Sequence, residues 1–116
     1  MENCYQGLQA CQQGDVGVAI IVSVVDQDGD PVDLHTATSL IIRLGAPDGT
    51  AVDKTAIFVS DGSDGQIVYT TVAEDLDQAG EYEIQGIVTM GGATKSTAVS
   101  TLQVLENVPA PVIPEP

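Results

Sequence analysis

Asp75-Leu76-Asp77-Gln78-Ala79-Gly80-Glu81-Tyr82-Glu83-Ile84-Gln85-Gly86-Ile87-Val88-Thr89-Met90 carries the clearest pattern in the chain. Successive side chains of an extended strand point to opposite sides. From residue 81 onward, Tyr82, Ile84, Gly86, Val88 and Met90 therefore share one face, and Glu81, Glu83 and Gln85 the other. An apolar period of two with acids opposite describes a half-buried strand. Gly91-Gly92 then predicts a tight hairpin, returning as a strand over residues 94–106. The apolar phase of the return shifts between Val99 and the pair Leu102 and Val104, which predicts a bulge or a change of sheet near Ser100.

The same period recurs upstream. Over residues 16–25 the even positions Val16, Val18, Ile20, Val22 and Val24 are apolar, and Ala19, Ile21 and Val25 partly cover the other face. This predicts a central strand or one that meets a partner. Asp26-Gln27-Asp28-Gly29-Asp30-Pro31 ends it in turn formers. Residues 38–46 turn Leu40, Ile42 and Leu44 inward and Ser39 and Arg43 outward. Pro47-Asp48-Gly49-Thr50 closes that strand, because Pro presets φ and Gly accepts the positive φ that follows. Residues 52–60 read as a third strand with ambiguous facing, and residues 66–72 as a fourth beyond the turn Asp61-Gly62-Ser63-Asp64-Gly65.

Composition narrows the classes of function. The 116 residues carry 17 acidic and 3 basic side chains, a net charge of −14, and are 43% hydrophobic. Such a chain folds as one domain with a real core. With only Arg43, Lys54 and Lys95 as cations, phosphate binding has no basis, so neither nucleic acid nor an anionic membrane is an expected partner. The longest apolar run, residues 16–25, contains Gly17 and Ser23 and is far shorter than the roughly 20 residues of a spanning helix.

Six or seven short strands with regular turn signals and no helical periodicity predict an all-β antiparallel β-sandwich. Residues 1–13 read as an N-terminal arm, 14–106 as the sandwich, and 107–116, with four prolines, as an extended C-terminal arm. In immunoglobulin-like sandwiches a Tyr placed like Tyr82, just after a corner, hydrogen-bonds back to the loop, and Leu76 would plug the core beneath it. Ile84 stands where antibody domains hold a cysteine, so no inter-sheet disulfide is expected. Cys4 and Cys11 would lie roughly 10 Å apart in a helix, so a disulfide needs a turn, which Gly7 can supply. Buried or interface thiols are the other reading.

Together, Gly14-Asp15-Val16-Gly17, Asp28-Gly29-Asp30-Pro31-Val32-Asp33-Leu34, Pro47-Asp48-Gly49-Thr50 and residues 75–82 resemble the immunoglobulin-like N-terminal domain of phage baseplate upper proteins and related tail and virion proteins. The resemblance spans roughly residues 14–106. It implies an immunoglobulin-like antiparallel β-sandwich of about seven strands in a phage virion structural protein, with capsid or tail proteins as partners; for want of a catalytic constellation, an enzyme is not expected. The opening Met1-Glu2-Asn3-Cys4 has no secretory signal character, so synthesis in the host cytoplasm and carriage in the virion are expected.

Candidate chemistry is sparse. Asp26, Asp28, Asp30 and Asp33 offer hard oxygen ligands for calcium, but the EF-hand order is not met, and a solvated turn is the preferred reading. Asp61 and Asp64 form a weaker loop of the same kind. His35 lies near Asp33 and Ser39 without a nucleophile motif around it. Gly91-Gly92-Ala93-Thr94-Lys95-Ser96 lacks phosphate-loop spacing. No cofactor is expected.

The arm–sandwich–arm plan favours an accessory protein that decorates or cements the capsid exterior. Tyr5, Leu8, Val112 and Ile113 are then the apolar anchors of the arms, on a homo-oligomer or in many copies on a symmetric assembly. Placement at the tail or baseplate is the alternative. An immunoglobulin-like adhesion or carbohydrate-binding module is a third reading, weakened by the scarcity of aromatics.

Overall fold

The computed structural model describes residues 11–106. Nine strands form there: β1 (Cys11–Gln12), β2 (Ala19–Ser23), β3 (Ser39–Gly45), β4 (Ala51–Thr55), β5 (Ile57–Phe58), β6 (Gln66–Thr70), β7 (Gly80–Met90), β8 (Ala93–Ser96) and β9 (Ser100–Leu105). The larger sheet runs β1-β9-β7-β3-β4 with β8 also on β7, and the smaller runs β2-β6-β5. No helix occurs among the described residues. The described residues are all-β, in two sheets.

Alternation places the core. The inward rows Ile42–Leu44, Tyr82–Ile84–Val88 and Leu102–Val104 of the larger sheet are buried, as are Val18, Ile20, Val22, Val24 and Ile67 from the smaller sheet and its flanks. Val16 departs from the expected row. It is 56% exposed, because β2 takes up its pairing only at Ala19.

Two expected strands are each split. The segment over 52–60 changes sheets at Ala56: β4 pairs with β3 in the larger sheet and β5 with β6 in the smaller. Ala56 itself is buried, and its amide donates to the Leu40 carbonyl (2.9 Å). A segment serving two sheets has no single facing, which accounts for its ambiguous pattern.

The return strand over 94–106 breaks into β8 and β9. Ile87 faces Ser96, but Ile84 faces Ser100, so one extra residue is inserted between them. Thr97 holds this bulge. The Gly86 amide donates to its Oγ1 (2.9 Å), and the Thr97 amide donates to the Gly86 carbonyl (2.8 Å). Leu102 and Val104 are consequently buried while Val99 is exposed.

Cys11 and Gln12, at the end of the stretch read as an arm, pair parallel with Val104 and Leu105. Cys11 is fully buried and disulfide-bonded. Cys4, Tyr5, Leu8, Val112 and Ile113 lie outside the described residues.

Gly86 faces the core, and a Cβ there would sit 2.9 Å from Val22 Cγ1 across the sandwich. Gly86→Val should lower stability by about 1–3 kcal/mol through overpacking. Chemical denaturation of the purified chain checks this.

Candidate functional site

The connection from β6 to β7, residues 71–79, gathers more ties than its length suggests. Asp75 is the first. Its carboxylate accepts from the Tyr69 hydroxyl (2.5 Å) and from the Val72 amide (2.8 Å), and it pairs with Lys54 Nζ (2.9 Å). Lys54 comes from β4, an edge of the larger sheet, and Tyr69 from β6, the middle of the smaller. The Lys54 ammonium also lies 5.8 Å from the centre of the Tyr69 ring. One carboxylate thus bridges the two layers.

The Asp75 side chain is only 5% exposed, against 27% for Lys54. Burial pulls the Asp75 carboxyl upward, but the bonds from Tyr69, Val72 and Lys54 outweigh it and hold the group below the usual carboxylate range. Burial and the carboxylate together push the Tyr69 phenol up. The bond to Asp75 raises the Lys54 ammonium against its own desolvation.

Leu76 and Tyr82 supply the next ties. Leu76 is fully buried, and its carbonyl accepts from the Gly14 amide (2.7 Å). The Asp77 carbonyl accepts from Gln13 Nε2 (2.8 Å), so the entering chain is bound to the same corner. Tyr82 is 2% exposed, and its hydroxyl accepts from the Gln78 amide (3.1 Å), four residues upstream.

Gln78 in turn grips the turn after β3. Its Oε1 accepts from the Asp48 amide (3.2 Å), and its Nε2 donates to Asp48 Oδ2 (3.0 Å). Asp48 also accepts from the hydroxyl and the amide of Thr50, and these bonds, with that from Gln78, hold its carboxyl below the ordinary range. A Cβ at position 80 would meet the Pro47 ring at 2.9 Å, and φ there is +133°, so this close approach needs Gly80. Two motifs far apart in sequence, residues 47–50 and 75–82, therefore form one assembly.

The other sequence candidates are scattered. Asp26, Asp28 and Asp30 bring carboxylate oxygens within 4.8 Å of one another, all exposed. Asp26 Oδ1 already accepts from the Asp28 and Asp30 amides (2.9 and 3.0 Å), which closes the turn. Asp33 stands apart from that group. It accepts from the His35 amide and contacts His35 Nδ1 at 2.8 Å, both side chains being exposed. Ser39 begins β3 opposite Thr89, and Gly91-Gly92 is the β7–β8 hairpin. Glu81 and Glu83 are exposed on the outer face of the larger sheet.

Every buried side-chain nitrogen or oxygen among the described residues has a hydrogen-bond partner. The corner groups serve as mutual ties. The Lys54–Asp75–Tyr69 cluster has no local sequence signal, since its members come from β4, β6 and the connection after β6.

Asp75→Asn should cost about 2–3 kcal/mol at neutral pH, since it leaves Lys54 without its anion. A carboxyl held low in the folded state stabilises above its unfolded pKa, and that contribution disappears as pH falls through the folded value. The gap between parent and variant should therefore be constant near neutrality and narrow below about pH 4, as denaturation at several pH values would show. Tyr82→Phe, which strands the Gln78 amide, should cost about 1 kcal/mol by the same assay.

No curated protein matches the chain. The family described as BppU N-terminal domain, the N-terminal domain of baseplate upper proteins, matches residues 2–107, which include both sheets and the whole corner. The chain belongs to the BppU N-terminal domain family.

Proposed function

We propose that this chain is a non-enzymatic assembly module of a phage tail baseplate, linking neighbouring structural proteins through its surface. The family is one of phage baseplate proteins, so the chain is a structural component of the virion that contacts other phage structural proteins. The match over residues 2–107 is the observation that carries the tail placement. The corner supports a scaffold role, since Asp75, Gln78 and Tyr82 bond to other groups of the chain.

The strand order supports kinship with immunoglobulin-like sandwiches. A three-strand layer faces a sheet whose centre is β9-β7-β3, with the added edge strand β4, and a buried tyrosine bonds back to its corner at the start of β7.

Decoration of the capsid is the second reading, and the arm–sandwich–arm plan favours it. A small rigid body gains contact area by laying its ends across neighbouring subunits, and proline lowers the ordering cost of such an end.

Negative-stain imaging of virions labelled with a gold-conjugated antibody to this chain separates the two. Gold at the tail tip is expected. Gold over the capsid would replace the baseplate reading with decoration, and virions free of the chain would overturn both. Deleting residues 107–116, with anchors Val112 and Ile113, should lower occupancy if the arm contributes to attachment; unchanged occupancy would remove the arm from the account.

A further inference from the structure

The outer faces of the two sheets differ in chemistry. On the larger sheet the outward positions include Arg43, Asp53, Glu81 and Glu83, with Arg43 Nε bonded to Asp53 Oδ1 (2.6 Å). On the smaller sheet Ile20, Val22 and Ile67 turn inward, so Ile21, Ser23, Gln66, Val68, Ile57 and Val59 turn outward. None of these six is charged. Ile21, Val68 and Ile57 stand directly opposite one another and form an aliphatic row across all three strands. Ile57 is 66% exposed and Val59 43%.

A chain of net charge −14 that leaves one sheet face without charge is keeping that face compatible with burial. One end of the face is strongly acidic. The turn after β2 carries Asp26, Asp28 and Asp30, and the turn between β5 and β6 carries Asp61 and Asp64. Antiparallel pairing sets these two turns side by side.

From this juxtaposition we infer that the outer face of the smaller sheet is a docking surface for a different virion protein, one with an aliphatic centre and a Lys/Arg-rich edge. This rests on the assembly-module reading and names the partner's chemistry. A second copy of the chain does not fit. It would have to bring cations to the acidic end, yet Arg43 is held by Asp53 and Lys54 by Asp75, which leaves Lys95 as the one Lys or Arg outside an ion pair among the described residues, against five aspartates. The sheet face by itself covers on the order of 250 Å² from strand length and spacing, well short of the roughly 800 Å² per partner of a stable pair. The acidic turns must therefore join the contact, which requires the basic edge.

The experiment uses the full-length chain assembled into virions. A photo-crosslinking residue is placed at position 57 and, as control, at Thr101, which is exposed on the outer face of the larger sheet. Position 57 is expected to crosslink to a different virion polypeptide, at a site flanked by Lys or Arg, and position 101 is not. Ile57→Glu, at an exposed site, should leave the melting temperature unchanged and lower incorporation into virions about tenfold, as expected for a charge buried without a partner. Thr101→Glu should incorporate normally. Crosslinks from position 57 only to copies of the chain, crosslinks from position 101 alone, or normal incorporation of Ile57→Glu would overturn the docking face while leaving the virion reading intact. A chain missing from purified virions would overturn that reading and the docking face with it.

Discussion

The carboxylate of Asp75 is the constraint on which the arrangement depends. Apolar rows press the two sheets together, but a hydrophobic contact is non-directional and does not fix how the layers sit against each other. Asp75 does so by accepting from Tyr69 of the smaller sheet and pairing with Lys54 of the larger. A buried ion pair often contributes little net stability relative to apolar residues of the same volume, because desolvation offsets the attraction. Its contacts are directional, reaching one strand of each sheet. With Leu76 in the core and Tyr82 bonded back to Gln78, the loop from β6 to β7 is tied to both sheets and also bonds to residues 13–14 and the turn at 47–50.

These ties bear on assembly. A surface held in one shape loses less entropy on docking than one that must be ordered first. The acidic excess makes copies of the chain repel one another. Its distribution is uneven: charge lies on the outer face of the larger sheet and on the turns, and spares the outer face of the smaller.

Much of the fold was legible in the sequence where one element obeyed one rule. The rows Leu40–Ile42–Leu44 and Tyr82–Ile84–Gly86–Val88 alternate cleanly because β3 and β7 are central strands with one face in the core. The phase shift near Ser100 marked the bulge at Thr97, since one inserted residue moves every later side chain to the other face. What stayed hidden depended on chain crossings. A single Ala56 between two short runs gives no period by which to recognise a change of sheet. Lys54 and Asp75 are 21 positions apart, and β1 is two residues long, so neither carries a local pattern. The row Ile21–Val68–Ile57 draws one residue from each of three strands, and only their spatial order reveals it.

Native-state hydrogen exchange of the backbone amides at the corner tests the central claim most directly. The amides of Gly14, Val72 and Gln78, which donate to Leu76, Asp75 and Tyr82, should exchange only with the global unfolding that releases β3 and β7. Exchange of these three at the rate of the exposed hairpin turns, while β7 stays protected, would contradict the account.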